Sequence, residues 1–467
     1  MLFSSITFLY CFLPLVLVFY FLAPGKFKNV VLLITSLFFY GWGEPKFLLL
    51  MILTIVFGYM MGILTEKYPL RRKVWLAMSI LFDLGALAFF KYADFFIGSV
   101  NAVTGLSIPL LRIALPIGIS FYTFQILSYN IDVYRGEVPA QRNLLHLATY
   151  ISMFPQLIAG PIVRYKDISN QLECRVISID KAACGIRRFV IGLSKKVLIA
   201  NSFGELCAVF RDSGDKSVLF YWMYAFAFSL QIYYDFSGYS DMAIGLGKIL
   251  GFDFMENFNY PYISKSITEF WRRWHISLGS WFRDYVYIPL GGSRVGTVRR
   301  FINIFVVWML TGLWHGAAWN FVIWGLYFAI LLMIEKIFLL KYLEKCKVLN
   351  HLYVLFLVVI SFVVFNANSM AQAWQDIAGM FRAELVSVEA AYYFSSYLLL
   401  FGIAAIGATP LPKMICQKIA DFAENEKGKL YSCLYIVAEV TVLAGLLMLV
   451  TAYLVDGSFN PFLYFRF

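Results

Sequence analysis

The stretch Trp308-Met-Leu-Thr-Gly-Leu-Trp-His-Gly-Ala-Ala-Trp-Asn320 places a single histidine, His315, between two long apolar runs. The runs cover about residues 301–314 and 317–340, and each reaches or approaches the ~20 residues that a helix needs to cross a bilayer. His315 is therefore expected at bilayer depth. A polar, titratable ring is costly there and by default marks a functional site.

The whole chain has the composition of a membrane protein. Of its 467 residues, 61% are hydrophobic and only 14% are charged, whereas a soluble domain is about 25% charged. The net charge of +11 does not require nucleic acid, because basic residues of membrane proteins gather in cytoplasmic loops beside anionic lipid headgroups. We therefore predict an all-α, polytopic membrane protein without a nucleic-acid partner.

The chain carries no recognisable metal or nucleotide motif. Its seven cysteines are scattered and form no Cys-x-x-Cys pair, which argues against a disulfide framework and against a thiolate metal site. The histidines lack metal-ligand spacing, and neither a Walker loop nor a Gly-x-Ser-x-Gly elbow is present. We expect no bound metal or cofactor.

About 11 transmembrane helices are predicted, together with re-entrant or interfacial helices that must be buried in protein or line a cavity. Strong span candidates lie at about residues 3–22, 47–64, 74–90, 113–133, 218–234, 301–314, 317–340, 351–366, 392–411 and 434–455. Short spans, half-membrane segments or buried amphipathic helices are predicted at about 29–42, 144–160, 182–200 and 240–252. No repeat or long linker divides the chain, so residues 1–467 are expected to form one membrane domain with an aromatic tail at 456–467.

Basic residues predict the orientation. They concentrate in three connections, at 66–73, 135–196 and 413–429, and the positive-inside rule places all three on the cytoplasmic side. One further span then puts the C-terminal tail outside the cell. Counting back through three crossings puts the N-terminus outside as well, provided that 29–42 crosses the membrane.

Polar and charged side chains are densest between residues 231 and 320. Asp235 and Asp241 lie among aromatic and small residues, where hydrogen bonds or ion pairs between helices account for them more readily than chemistry does. The cluster Glu269-Phe-Trp-Arg-Arg-Trp-His275 adds a second histidine, which fits either a satisfied core residue or a functional one.

Four arginines in this region have two interpretations. They can anchor an interfacial helix at the cytoplasmic headgroups, or they can bind a phosphate-bearing donor. The four are Arg272, Arg273, Arg283 and Arg294. For His315 we favour a catalytic role, because its small and polar neighbours, which include Gly312, Gly316 and Asn320, suit a tight polar pocket.

Several of these stretches resemble the membrane-bound O-acyltransferase (MBOAT) family. They are Tyr234-Asp-Phe-Ser-Gly-Tyr-Ser-Asp241, Phe270-Trp-Arg-Arg-Trp-His-Ile-Ser-Leu278, Arg283-Asp-Tyr-Val-Tyr-Ile-Pro-Leu-Gly-Gly292 and Gly312-Leu-Trp-His-Gly316. The resemblance covers nearly the whole chain and is strongest to a bacterial branch. That branch includes the alginate O-acetylation membrane subunit, peptidoglycan O-acetyltransferases and the teichoic-acid D-alanylation membrane protein.

The resemblance implies a fold and a set of site residues. The helices would surround a central tunnel in the bacterial cell membrane, with His315 as the essential histidine near the midplane and His275 on the cytoplasmic side. The four arginines would line the cytoplasmic entrance, where the donor, acetyl-CoA or an acylated carrier protein, docks. Trp314, Asn320 and Asp241 would support the site.

The resemblance also implies where the acyl group goes. It would pass to the outside of the cell, where a partner of the SGNH-hydrolase type commonly completes its transfer to a polysaccharide hydroxyl. The tail Phe459-Asn-Pro-Phe-Leu-Tyr-Phe-Arg-Phe467 resembles an aromatic C-terminal motif of several relatives. Tyr464 is therefore a candidate acyl carrier that receives the group as an aryl ester, and the alternative is an aromatic interfacial anchor.

The expected chemistry is simple. Since a thioester is already activated, the enzyme must supply position and a base for the incoming hydroxyl. A neutral His315 can accept that proton, a step typically worth ~10²–10⁴-fold, and Asn320 could orient the imidazole or polarise the acyl carbonyl. The alternatives are a secondary transporter or flippase, which would predict internal repeats that the sequence lacks, and a non-catalytic scaffold for polysaccharide export.

Overall fold

The computed structural model describes residues 1–158, 160–425, 429–457 and 463, and within them every regular element is helical. The first α-helices are α1 (Leu13–Leu22), α2 (Lys28–Gly43), α3 (Leu48–Lys67), α4 (Arg72–Leu87), α5 (Ala93–Thr104), α6 (Ile119–Arg135), α7 (Leu144–Ser152), α8 (Phe154–Leu157), α9 (Tyr165–Glu173), α10 (Ile179–Ser194) and α11 (Asn201–Asp212). They are followed by α12 (Val218–Ile249), α13 (Ile267–Arg273), α14 (Ile276–Phe282), α15 (Thr297–His315), α16 (Trp319–Ile334), α17 (Leu340–Leu343), α18 (Leu349–Asn366), α19 (Met370–Arg382), α20 (Val388–Gly407), α21 (Leu411–Asn425) and α22 (Lys429–Val455). The all-α prediction is confirmed for this part of the chain.

Short turns of other helix types punctuate the series. Turns with 3₁₀ geometry lie at Gly25–Phe27, Pro69–Arg71 and Pro261–Ile263, and π-helical turns lie at Phe8–Phe12, Ala88–Tyr92, Lys195–Ala200, Arg283–Tyr287 and Glu335–Leu339. Turns of the π type are rare and frequently lie at functional sites. Those that begin at Ala88, Arg283 and Glu335 contribute side chains to cavities near the buried histidines.

Among the described residues, six helical stretches are long and apolar enough to cross a membrane: Leu48–Lys67, Pro69–Thr104, Trp319–Leu343, Leu349–Asn366, Val388–Gly407 and Tyr431–Val455. Each coincides with a predicted span, and the shorter apolar stretch Phe8–Leu22 coincides with the first. The predicted spans at 113–133, 218–234 and 301–314 are helical too but do not meet the same length and composition criteria.

One pair of predicted segments turns out to be a single element. The sequence separates 218–234 from 240–252, because the polar run around Asp235 interrupts the apolar pattern, yet α12 continues through both. Most of α12 is buried, so its polar side chains meet protein rather than lipid. Its partners include α10, α11, α18, α19 and α20, which makes it the central helix of the bundle.

Four glycines bring α10 and α12 into backbone contact. A Cβ on Gly185 would lie 2.6 Å from the carbonyl oxygen of Gly245, and a Cβ on Gly192 would lie 2.6 Å from that of Gly238. Because no larger side chain fits between the two backbones, the helices approach as closely as small-residue contacts allow in membranes. The seven-residue spacing within each pair aligns the two contacts along one antiparallel crossing.

Candidate active site

His315 is the last residue of α15, at the tip of a tight hairpin formed by α15 and α16. A Cβ on Gly312 would collide with the Phe321 carbonyl, and a Cβ on Gly325 would collide with the Trp308 carbonyl. The two glycines therefore let the helices touch just below the hairpin tip, which fixes where the imidazole emerges.

Aromatic rings surround the His315 imidazole, which is only 8% exposed. The centroid of the imidazole lies 5.1 Å from the Trp314 ring, 5.2 Å from the Trp324 ring and 5.3 Å from the Phe365 ring. Trp324 and Phe365 meet it nearly edge to face, at 85° and 80°. These rings exclude water from most of the imidazole and leave it little rotational freedom.

His275 lies between α13 and α14 and is held by Asn257. Its Nδ1 lies 3.2 Å from the Asn257 side-chain oxygen, and the backbone oxygen of Asn257 accepts from the Ile276 amide at 3.0 Å. An amide oxygen only accepts, so Nδ1 carries the proton and Nε2 is left as an acceptor. The His275 backbone is left-handed, with φ +47°, a conformation that is uncommon outside glycine and frequent at functional sites.

The two histidines face each other across a short gap. Their ring centroids are 6.5 Å apart, which is too far for a direct hydrogen bond between the rings. Both side chains are buried, and Nε2 of His275 has no hydrogen-bond partner among the described residues. The pair thus offers uncompensated nitrogen chemistry within an otherwise aromatic interior.

A cavity of about 500 Å³ opens beside His275, within the size range of small-molecule sites. Aromatic side chains form much of its wall, and its basic members are Arg272, Arg283 and Lys336. Lys336, which the sequence did not single out, follows Glu335 in the π-helical turn Glu335–Leu339. A lysine one turn beyond a predicted span reads as an ordinary interfacial residue, so the sequence gave no signal for it.

The four predicted donor-binding arginines separate into two groups. Arg272 and Arg283 line the cavity, whereas Arg273 and Arg294 do not. The Arg273 guanidinium is engaged instead by the Glu269 carboxylate at 2.9 Å and donates to the Asn259 carbonyl at 3.1 Å.

The charge of Glu269 keeps that pair together. Burial raises the pKa of the Glu269 carboxyl, but hydrogen bonds from the Lys265 amide and the Arg273 guanidinium outweigh it, so the pKa lies below its ordinary value. Glu269 is therefore ionised at neutral pH. Arg273 remains bound to it rather than turning into the cavity.

The predicted supporting residues also divide. Trp314 packs against both histidines, with its ring 5.7 Å from that of His275. Asn320 donates to the Ala367 carbonyl at 3.0 Å, and Asp241 binds Arg188 at 2.8 Å and Lys195 at 2.7 Å. The last two side chains thus tie neighbouring segments together at a distance from the histidine pair.

The tail hypothesis falls mostly outside the described residues, and Tyr464 lies outside them. The neighbouring Leu463 is described, and its amide donates to the Asp235 carboxylate at 3.1 Å. Asp235 is buried in α12 and also pairs with Lys196 at 2.6 Å. Among the described residues, no group of three or more histidine, cysteine or acidic side chains is arranged to hold a metal ion.

Comparison with known proteins identifies the family. A family model described as "MBOAT, membrane-bound O-acyltransferase family" matches residues 135–371. The protein named "Probable alginate O-acetylase AlgI" from Azotobacter vinelandii is 41% identical to this chain, over 100% of both chains. The chain belongs to the membrane-bound O-acyltransferase family. This MBOAT protein is a multi-pass membrane acyltransferase.

Other relatives carry related names. A "Probable alginate O-acetylase AlgI" from Pseudomonas aeruginosa is 43% identical over 88% of this chain and 83% of its own length. The "Peptidoglycan O-acetyltransferase" of Helicobacter pylori is 33% identical over 83% of this chain and 81% of its own length. The MBOAT match includes both buried histidines and the whole wall of the larger cavity.

Proposed function

We propose that this MBOAT protein moves an acetyl group from a cytoplasmic thioester across the cell membrane, for O-acetylation of an extracytoplasmic cell-wall polymer or exopolysaccharide. The observation that carries the proposal is the pair of buried imidazoles, 6.5 Å apart, beside a cavity with three cations in its wall. The names of the relatives support acetyl as the group and a polysaccharide as the final acceptor.

The cations indicate how the donor binds. A phosphate-bearing donor, either acetyl-CoA or an acetylated carrier protein, would place its phosphates near Arg272, Arg283 and Lys336, because guanidinium and ammonium groups bind phosphate through charge-assisted hydrogen bonds. Arg164 pairs with Asp284 at 2.7 Å, which joins this wall to the basic connection at 135–196. The positive-inside rule assigns that connection to the cytoplasm.

We assign His315 as the general base. It would take the proton of the attacking hydroxyl while the oxygen forms a bond to the thioester carbonyl carbon. The carbon–sulfur bond then breaks, and the thiolate leaves and is protonated. His275 would act as the second catalytic histidine, on the donor side, with its free Nε2 as acceptor. Trp324 and Phe365 exclude water and so limit hydrolysis of the thioester.

The acetyl group then continues outward in the proposal. With both termini extracytoplasmic, Tyr464 would receive the group as an aryl ester, and an SGNH-type partner would pass it to the polymer. Support for a tail that reaches the protein interior comes from Leu463, whose amide bonds to the buried carboxylate of Asp235.

Replacement of His315 tests the proposal directly. In inverted membrane vesicles that contain the protein and its native envelope polymers, radiolabelled acetyl-CoA and acetylated carrier protein are supplied in separate reactions, and label in the polymer is counted. His315→Ala should lower transfer at least ~10²-fold, because the general base is lost.

His351→Ala is the matched control. Its Nδ1 lies 3.2 Å from the Ser264 carbonyl, and it lines neither cavity near the two histidines, so transfer should stay near the wild-type rate. A His315→Ala protein that transfers acetyl at that rate would contradict the catalytic assignment. Absence of labelled polymer with both donors and wild-type protein would contradict the proposed reaction.

A further inference from the structure

A second cavity lies on another side of the His315 hairpin. It measures about 230 Å³, and its wall includes Ala317, two residues beyond His315, together with Lys91 and Asp94. Lys91 lies inside the candidate membrane span Pro69–Thr104. A lysine within a membrane span is costly and marks a functional position by default.

Lys91 and Tyr92 bind the end of the helix that carries His315. The Lys91 ammonium donates to the Trp314 carbonyl, and the Tyr92 hydroxyl donates to the Leu313 carbonyl at 2.7 Å. The last four carbonyls of an α-helix have no partner within the helix. In α15, two of them receive donors from adjacent residues of a distant segment.

The π-helical turn Ala88–Tyr92 supplies both of these donors. The Lys91 ammonium also lies 6.0 Å from the centre of the Trp314 ring. Asp94, the acid in the same cavity wall, is occupied elsewhere, since its carboxylate accepts from the amides of Leu111 and Arg112 at 2.7 and 2.9 Å. The cation is therefore directed at the end of α15, where a positive charge is favoured by the helix dipole.

We propose that Lys91 is a positioning residue for His315. By holding the Trp314 carbonyl, it fixes the end of α15 and keeps the imidazole in its place between Trp324 and Phe365. This inference rests on the proposed role of His315 as the base. Lys91 lies outside residues 135–371, the region that the family model matches, and none of the predicted site residues includes it.

The position of Lys91 along its span separates it from the donor. Pro69 begins the span at the basic connection proposed to be cytoplasmic, and 22 residues of helix rise roughly 30 Å, about the thickness of the hydrocarbon core. Lys91 is absent from the wall of the larger cavity. Its loss should therefore change the rate of transfer and leave donor affinity unchanged.

Four variants test this inference. Lys91→Met removes the charge and the donor but keeps the length of the side chain, and Lys91→Arg keeps both. Tyr92→Phe removes the neighbouring hydrogen bond without a change in charge. Lys73→Met removes an exposed lysine near the start of the same span and is the matched control.

The first measurement is transfer from acetyl-CoA at varied donor concentration. A displacement of about 1 Å can cost ~10²-fold in rate, so Lys91→Met should lower kcat by ~10-fold or more and leave KM for acetyl-CoA within about twofold. Lys91→Arg should recover most of the rate, and Tyr92→Phe should give a smaller loss. Full kcat in Lys91→Met, or a change confined to KM, would overturn the inference.

The second measurement is hydrogen–deuterium exchange of the peptide around residues 308–320, which needs no activity. Exchange at the end of α15 should be faster in Lys91→Met and unchanged in Lys73→Met. If wild-type protein transfers no acetyl, the proposed function fails, while faster exchange still supports the hold on α15. Unchanged exchange in Lys91→Met would remove the physical basis of the positioning role.

Discussion

Two neighbouring arginines show how position on a short helix separates roles. Arg272 and Arg273 are adjacent in α13, so their side chains leave the helix axis about 100° apart. Arg273 lies four residues after Glu269 and meets it on one face. Arg272 is directed to the wall of the larger cavity. The sequence presents the two as equivalent, and only the helix geometry distinguishes them.

Arg272→Gln should therefore weaken donor binding. Loss of a charge-assisted hydrogen bond to phosphate costs about 1.5–3 kcal/mol, so KM for acetyl-CoA should rise at least ~10-fold with a smaller change in kcat. The matched variant Arg273→Gln removes an i,i+4 pair worth about 0.3–0.5 kcal/mol and should leave KM within about twofold. Equal effects of the two variants in the vesicle assay would show that the cavity wall does not bind the donor.

At the scale of elements, a buried carboxylate holds the start of α13. Glu335, from the π-helical turn after α16, accepts from the Ile267 amide at 2.6 Å, from the Thr268 amide at 2.8 Å and from the Thr268 hydroxyl at 2.7 Å. These bonds satisfy amides that have no partner within the helix. Since α13 carries Arg272 and leads into His275, Glu335 connects α16 to both parts of the candidate site.

Glu335→Gln should destabilise the protein and loosen α13. An amide places an N–H₂ group against donors that now meet a carboxylate oxygen, and a lost buried hydrogen bond costs about 1–3 kcal/mol. We expect a lower Tm in detergent and a raised KM for acetyl-CoA. Glu344→Gln, at an exposed position, is the control and should change neither. An unaltered Tm in Glu335→Gln would mean that the cap contributes nothing to stability.

At the scale of the molecule, the chain returns to its central helix near its end. Leu463 bonds to Asp235, which is 228 positions earlier in the chain and lies in the middle of α12. Asp235 directly precedes Phe236, whose ring meets that of His275 at 4.6 Å. The tail therefore has an attachment point on the same helix that packs against the candidate site.

The acyl-carrier hypothesis for the tail predicts a covalent adduct. Protein purified after turnover with acetyl-CoA should yield an acetylated C-terminal peptide by mass spectrometry, and Tyr464→Phe should abolish it, because only the phenol can form the aryl ester. Tyr392→Phe, at an exposed tyrosine of α20, should leave the adduct in place. A wild-type tail that stays unmodified under turnover would favour an interfacial anchor instead.

The comparison of sequence and structure differs between the fold and the site. Apolar runs of about 20 residues predict spans because an isolated helix must satisfy lipid along its whole length, and the strongest runs correspond to membrane-length helices. The segment around Asp235 was harder to assign. Its polar residues look like an interruption, but in α12 they are buried against other helices and the helix continues.

The site shows the same division at the level of single residues. The cost of a histidine in apolar sequence identified His315 without any coordinates, and the resemblance indicated His275. Lys91, Asn257, Glu335 and Lys336 were missed, because their roles depend on partners far away in the chain. A local pattern carries no record of such partners.

The sequence by itself determined the membrane class, the helical fold and the family, since these follow from hydrophobic runs and from long contiguous motifs. Only the tertiary structure decided which cations share a cavity with His275, and which donors hold the end of the His315 helix. The reason is geometric. Hydrophobicity acts along the chain and is visible in it, whereas hydrogen bonds and charge pairs in the folded interior join residues whose separation in sequence has no relation to their distance in space.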